Sequence, residues 1–244
     1  MDRVKRADDL YKKLNDEEFL VDDLELQEIM KNYIYGDVYH HGSLDLQTRE
    51  LVLIVVCTVN QTLIALKQHV LSALKCQIQP EIIMEAIYQC TPYIGLGKVE
   101  EALHLVHLIF EEKDISLSST AMTTVNQNNR FEKGFAIQAQ AFGRDHIQAN
   151  HDHAPHELKH FQNYLSAYCF GDFYTRSGLN LRQRELLTFV MLSSLGGCEN
   201  QLRAHIQANL RVGNDKTMLI EIITQCQPYI GFPRTLNAIA LINE

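Results

Sequence analysis

Arg184-Glu185-Leu186, closed further on by Gln225-Cys226-Gln227-Pro228-Tyr229-Ile230-Gly231, repeats an earlier passage that opens Arg49-Glu50-Leu51 and closes Gln89-Cys90-Thr91-Pro92-Tyr93-Ile94-Gly95. Between opening and close, each passage holds a basic residue two positions before a histidine, Lys67 with His69 and Arg203 with His205. The match continues upstream, where Tyr33, Gly36, Asp37 and Tyr39 pair with Tyr168, Gly171, Asp172 and Tyr174 at a constant spacing that lengthens by one residue before the histidines. Such order over so long a span marks a tandem duplication.

The chain of 244 residues therefore divides into a first repeat over 1–113, a linker over 114–130 and a second repeat over 131–244. Each repeat alone is close to the size at which burial only just suffices, so the copies are expected to pack on each other. A hydrophobic content of 46% with 21% charged residues is ordinary for a globular chain. The net charge of -8 argues against a nucleic-acid partner, which would call for clustered Lys and Arg. The amino terminus is charged and leads into no apolar core of a secretory signal, and no apolar run is long enough to span a bilayer. A cytoplasmic protein acting on a small molecule, with no membrane partner, is expected. The six cysteines sit in apolar helical patterns and include no Cys-x-x-Cys pair, which reads as reduced thiols.

Apolar residues recur at helical spacing nearly throughout, and no segment alternates with period two for long, so the fold class is all-α. Short helices are expected over Asp8 to Leu14 and Leu24 to Tyr35, then a helix apolar all round from Leu46, capped by Asp45 as Asn180 caps its counterpart. A turn near Asn60 to Thr62, or Gly196-Gly197, leads into an antiparallel partner carrying the histidine. Pro80 starts a third helix that Pro92 should end near Cys90, and a last one runs from about Lys98 to Glu111. The Ser, Thr, Asn and Gln of 113–130 read as a surface connection, and Phe131 to Phe142 as an amphipathic helix.

Gly171-Asp172-Phe173-Tyr174-Thr175-Arg176-Ser177-Gly178-Leu179, then Arg184-Glu185-Leu186-Leu187-Thr188, Leu202-Arg203-Ala204-His205 and Tyr229-Ile230-Gly231-Phe232-Pro233, resemble the carboxymuconolactone decarboxylase family. The resemblance spans nearly the whole second half and, less closely, the first. It implies two alkylhydroperoxidase-like helical repeats packed as a pseudo-dimer, and a homo-oligomer, a trimer of tandem chains. The peroxidase branch of that family uses Cys-x-x-Cys-x-x-x-His; here those cysteine places fall on Cys198 and Gln201, and on Thr62 and Ala65 in the first repeat. The decarboxylase branch, which works without a cofactor and without paired thiols, resembles this chain better.

That branch implies His205 as proton donor, with Arg203 or Arg176 seating the substrate carboxylate. Glu185 and Glu50 are candidate partners of His205 and His69, though the helix dipole alone favours a carboxylate so early in a helix. Lys67 matches Arg203, and Tyr93 and Tyr229 either line the pockets or cap the core. Cys198, near a helix amino terminus, is a candidate single reactive thiol for a peroxide reductase; a non-enzymatic binder is the third reading. The second copy is expected to be the more active. His156-Glu157-Leu158-Lys159-His160 matches a zinc-helix string, but Pro155 sets it at the very start of a helix and no third ligand is evident, so no metal site is expected.

Overall fold

The computed structural model describes residues 2–16 and 23–244, and all regular structure among them is helical. The first repeat contains α1 (Arg3–Leu14), α2 (Leu24–Lys31), α3 (Leu46–Asn60), α4 (Leu63–Lys75), α5 (Pro80–Tyr88), α6 (Thr91–Ile94) and α7 (Leu96–Glu112). The second contains α8 (Arg130–Phe142), α9 (Arg144–Asp152), α10 (Lys159–Tyr164), α11 (Leu181–Leu195), α12 (Glu199–Arg211) and α13 (Lys216–Ile242). The all-α, two-repeat plan read from the sequence is the one observed.

The caps follow the side chains. Asp45 accepts from the Thr48 N–H, and Asn180 accepts from Gln183 while the Gln183 side chain returns to the Asn180 N–H, satisfying otherwise orphaned donors at the starts of α3 and α11. The α3–α4 turn passes through a left-handed Gln61, and the α11–α12 turn through Gly196 and Gly197, also at positive φ. Helix α5 ends at Tyr88, close to the expected Cys90, and after a turn at Gln89 and Cys90 the chain re-enters helix with Pro92 in the first turn of α6, where no donor is missed. In the second repeat Pro228 lies within α13. The true break comes three residues after each proline, at Gly95 (φ 83°) and Gly231 (φ 74°), a conformation that only glycine adopts cheaply.

Helices α3 and α11 lie side by side at the centre, buried almost all round, so one apolar core crosses the boundary between repeats: Val52, Val55 and Val56 cluster with Leu186, Phe189 and Val190. Each central helix follows a wider, π-type turn, Asn32–Asp37 and Leu165–Tyr174. Helix α8 lies against the second of these at Gly134, where a Cβ would come within 1.9 Å of the Ser166 carbonyl oxygen. Only a bare backbone fits that crossing.

Buried charge ties the repeats together. Arg184, with no exposed surface, donates from Nη1 to Gln89 Oε1 at 2.6 Å and from Nη2 to Glu85 Oε2 at 3.3 Å, both in the first repeat. Its Nη2 also reaches the Arg176 carbonyl at 2.8 Å. Arg49 holds the Leu44 and His41 carbonyls in the matching place, while Gln225 of the second repeat donates to the Val38 carbonyl. Replacing Arg184 by Met should lower stability by about 3 kcal/mol, because Glu85 and Gln89 stay buried with fewer partners. Arg203→Met, on the surface, should leave the thermal midpoint in place, and thermal unfolding compares the two.

Candidate active site

In each repeat the antiparallel hairpin, α3 with α4 and α11 with α12, brings a glutamate against the histidine. Glu50 Oε2 lies 2.9 Å from His69 Nδ1, and Glu185 Oε2 lies 2.7 Å from His205 Nδ1. Both glutamates have no exposed surface. An ionised carboxylate can only accept, so with an ionised glutamate Nδ1 is the protonated nitrogen and Nε2 is the one directed away from the carboxylate. Each dyad also has a tyrosine of the opposite repeat beside it: Tyr229 packs edge-on to His69 at 5.3 Å between ring centres, and Tyr93 to His205 at 5.9 Å.

The two dyads differ at both ends. In the first, Tyr39 donates to Glu50 Oε1 at 2.7 Å and the Tyr229 hydroxyl meets His69 Nε2 at 2.7 Å, so every polar atom is engaged and His69 is 1% exposed. In the second, Glu185 Oε1 is buried with no partner, and among the described residues no hydrogen bond engages Nε2 of His205. Tyr174, the counterpart of Tyr39, is bonded instead to Thr188 Oγ1 at 2.7 Å and to the Tyr93 hydroxyl at 2.8 Å. His205 lines a cavity of about 500 Å³; the described cavities include none lined by His69.

The cavity walls come from several elements. Tyr93 enters from α6, Cys198 and Gln201 stand beside His205 on α12, and Cys169 and Phe170 come from the π-type turn. Helices α8 and α9 supply Gln138, Phe142, His146, Ile147 and Asn150, with Phe142 edge-on to the His205 ring at 5.0 Å. The lining is mainly aromatic and aliphatic and includes no Lys or Arg.

The basic residues singled out in the sequence are engaged elsewhere. Arg176 clasps Glu85, with Nη2 to Oε1 at 2.5 Å, and lies over the Tyr88 ring at the repeat boundary. Arg203 pairs with Glu244 at 2.5 Å on the surface, and Lys67 approaches Glu112 at 3.9 Å. His156 sits in a single tight turn, and His160 lies against Phe161 and Tyr164. His146 and Cys169 also reach the cavity: His146 stands on α9, whose register against the dyad no repeat motif fixes, whereas Cys169 lies inside the matched stretch 168–174, where its counterpart in the first repeat is Ile34 and so gives no thiol signal.

Cys198 is the N-cap of α12, yet burial, and then Glu199 beside it, push its thiol up, and its Sγ donates to the Leu192 carbonyl at 3.3 Å. Burial pushes Cys169 up to about 12. Desolvation thus outweighs the helix terminus that the sequence suggested would favour a thiolate.

These observations define a duplicated helical protein with two carboxylate–imidazole dyads, one sealed and one facing a cavity. The carboxymuconolactone decarboxylase family model matches residues 25–107 and 159–244, and the chain belongs to that family. Both dyads fall within the matched segments, whereas α1, α8 and α9 fall outside them. The chain is also 29% identical over 120 residues to a protein named 4-carboxymuconolactone decarboxylase from Acinetobacter baylyi, a match spanning 49% of this chain and 89% of that relative.

A raised thiol pKa means little thiolate at neutral pH. Cys198 should therefore alkylate with iodoacetamide no faster than a free thiol at pH 7, Cys169 more slowly still, and both faster as pH rises. Peptide-resolved labelling of the native protein measures all three.

Proposed function

We propose that the Glu185–His205 site carries out cofactor-free decarboxylation, or closely related proton transfer, on a small carboxylated lactone or organic acid. The observation that carries this reading is the free Nε2 of His205 facing a cavity while its Nδ1 is fixed by a buried carboxylate. Likeness to a relative named as a decarboxylase supports it.

In this reading His205 enters as the imidazolium, with Glu185 balancing its charge. The substrate carboxylate leaves as carbon dioxide, and the electron pair of the broken C–C bond moves into the adjoining unsaturated carbonyl system. Nε2–H then protonates carbon, and the ring recovers its proton from solvent, so one proton is consumed for each carbon dioxide released. An apolar wall suits this step. A localised carboxylate charge gains less there than the dispersed charge that replaces it, so the lining of Phe142, Ile147, Phe170 and Leu192 favours departure over the ground state. The polar side chains available for orientation include Gln138, His146, Asn150 and Gln201, with the phenols of Tyr164 and Tyr168. Gln138, His146 and Asn150 stand on α8 and α9, outside the family-matched segments, and would add to substrate choice beyond family chemistry.

A second reading, hydroperoxide reduction by a thiol, draws on Cys198 and Cys169 lining the same cavity. Their raised pKa values place it behind the first.

With a panel of small carboxylated lactones, carbon dioxide release should be saturable in the wild type and fall at least ~100-fold in His205→Gln, whose amide can still donate to Glu185 but delivers no proton. His69→Gln should retain turnover while losing thermal stability. Turnover surviving His205→Gln in a folded protein would sink the assignment.

A further inference from the structure

We propose that Thr188 is a positioning residue that keeps the second dyad open, by anchoring a Thr188–Tyr174–Tyr93 hydrogen-bond chain that holds two tyrosines away from Glu185 and His205. The proposal deepens the reading of Glu185–His205 as the working site and rests on it for the catalytic consequence alone; the hydrogen-bond arrangement stands by itself.

The argument is a comparison within one molecule. Position by position, Leu53 corresponds to Thr188, Tyr39 to Tyr174 and Tyr229 to Tyr93. Leu53, buried in the core of the first repeat, offers its neighbours no hydrogen bond. A buried phenol needs a polar partner, and there Tyr39 finds Glu50 while Tyr229 finds His69. In the second repeat the Thr188 hydroxyl, equally buried, takes Tyr174 at 2.7 Å, and Tyr174 takes Tyr93 at 2.8 Å. The same two phenols thus satisfy each other and a threonine, and the dyad goes without both. The cost is visible as the one carboxylate oxygen of Glu185 left buried and unpaired. Its consequence is chemical: no phenol shares the Glu185 charge needed to support an imidazolium, and none blocks Nε2.

Without the threonine hydroxyl, Tyr174 should turn to Glu185 as Tyr39 does to Glu50. Tyr93, its ring already 5.9 Å from that of His205, should then close on Nε2 as Tyr229 does on His69.

The test is histidine acylation by diethyl pyrocarbonate on the folded protein, with rates resolved by peptide. In the wild type His205 should react and His69 should not. Thr188→Val should slow His205 by about tenfold, the factor one hydrogen bond on the attacking nitrogen imposes. Thr188→Ser, which keeps the hydroxyl, should match the wild type, and Thr188→Val with Tyr93→Phe should recover the wild-type rate because no phenol remains to cap the ring. A merely structural role for Thr188 would instead raise the rates of His205 and His69 together. Should Thr188→Val fail to fold, Tyr174→Phe frees Tyr93 from the other side and should give the same slowing. An unchanged His205 rate in the folded variants, or slowing that persists without the Tyr93 hydroxyl, overturns the proposal. Protection as expected, together with turnover that survives His205→Gln, would keep the hydrogen-bond chain and remove the catalytic reading instead.

Discussion

A carboxylate sealed from water must be met by a donor, and three such groups, Glu50, Glu85 and Glu185, fix how this protein is assembled. Glu50 and Glu185 are met by the histidine of their own hairpin, which sets the register of α3 on α4 and of α11 on α12. Glu85 is met by Arg176 and Arg184 from the other repeat, and at the surface the partly exposed Glu221 carboxylate accepts from the Ser43 N–H across the same boundary. Removing one partner of such a pair is far more costly than never having buried it. The repeats are thus held by obligations that neither can meet alone, on top of the apolar core shared by α3 and α11.

Much of this was legible in the chain. The repeated Arg-Glu-Leu and Gln-Cys-x-Pro-Tyr-Ile-Gly strings announced two like units, Asp45 and Asn180 announced their helix starts, and the recurrence of Glu50 with His69 and Glu185 with His205 named both dyads. The anion seat was misread for a reason that helix geometry supplies. A residue two positions before a histidine projects about 200° around the helix from it, so Lys67 and Arg203 face outward to Glu112 and Glu244 while the histidines face in. Arg176 was out of reach of such reasoning, because its partner Glu85 belongs to the other repeat. So was the cavity, whose roof of α8 and α9 carries no repeat motif to fix its register.

Local propensity locates the end of α5 to within two residues but not the helix that resumes at Thr91. Proline removes a donor rather than ruling out a helix: Pro92 opens α6, where its N–H would go unpaired anyway, and Pro228 lies inside α13. Gly95 and Gly231 make the break because their backbone takes a conformation closed to other residues.

The join between the repeats has a further meaning. Two identical subunits related by a two-fold axis must have identical sites, so any substitution near the reactive groups is suffered twice. Once both copies are written into one chain, that symmetry is no longer enforced, and a leucine at 53 can coexist with a threonine at 188. One half is free to remain a saturated, rigid brace while the other tolerates an unpaired carboxylate oxygen and a hole. Fusion thereby separates two demands, stability and reactivity, that a symmetric assembly must meet with the same side chains.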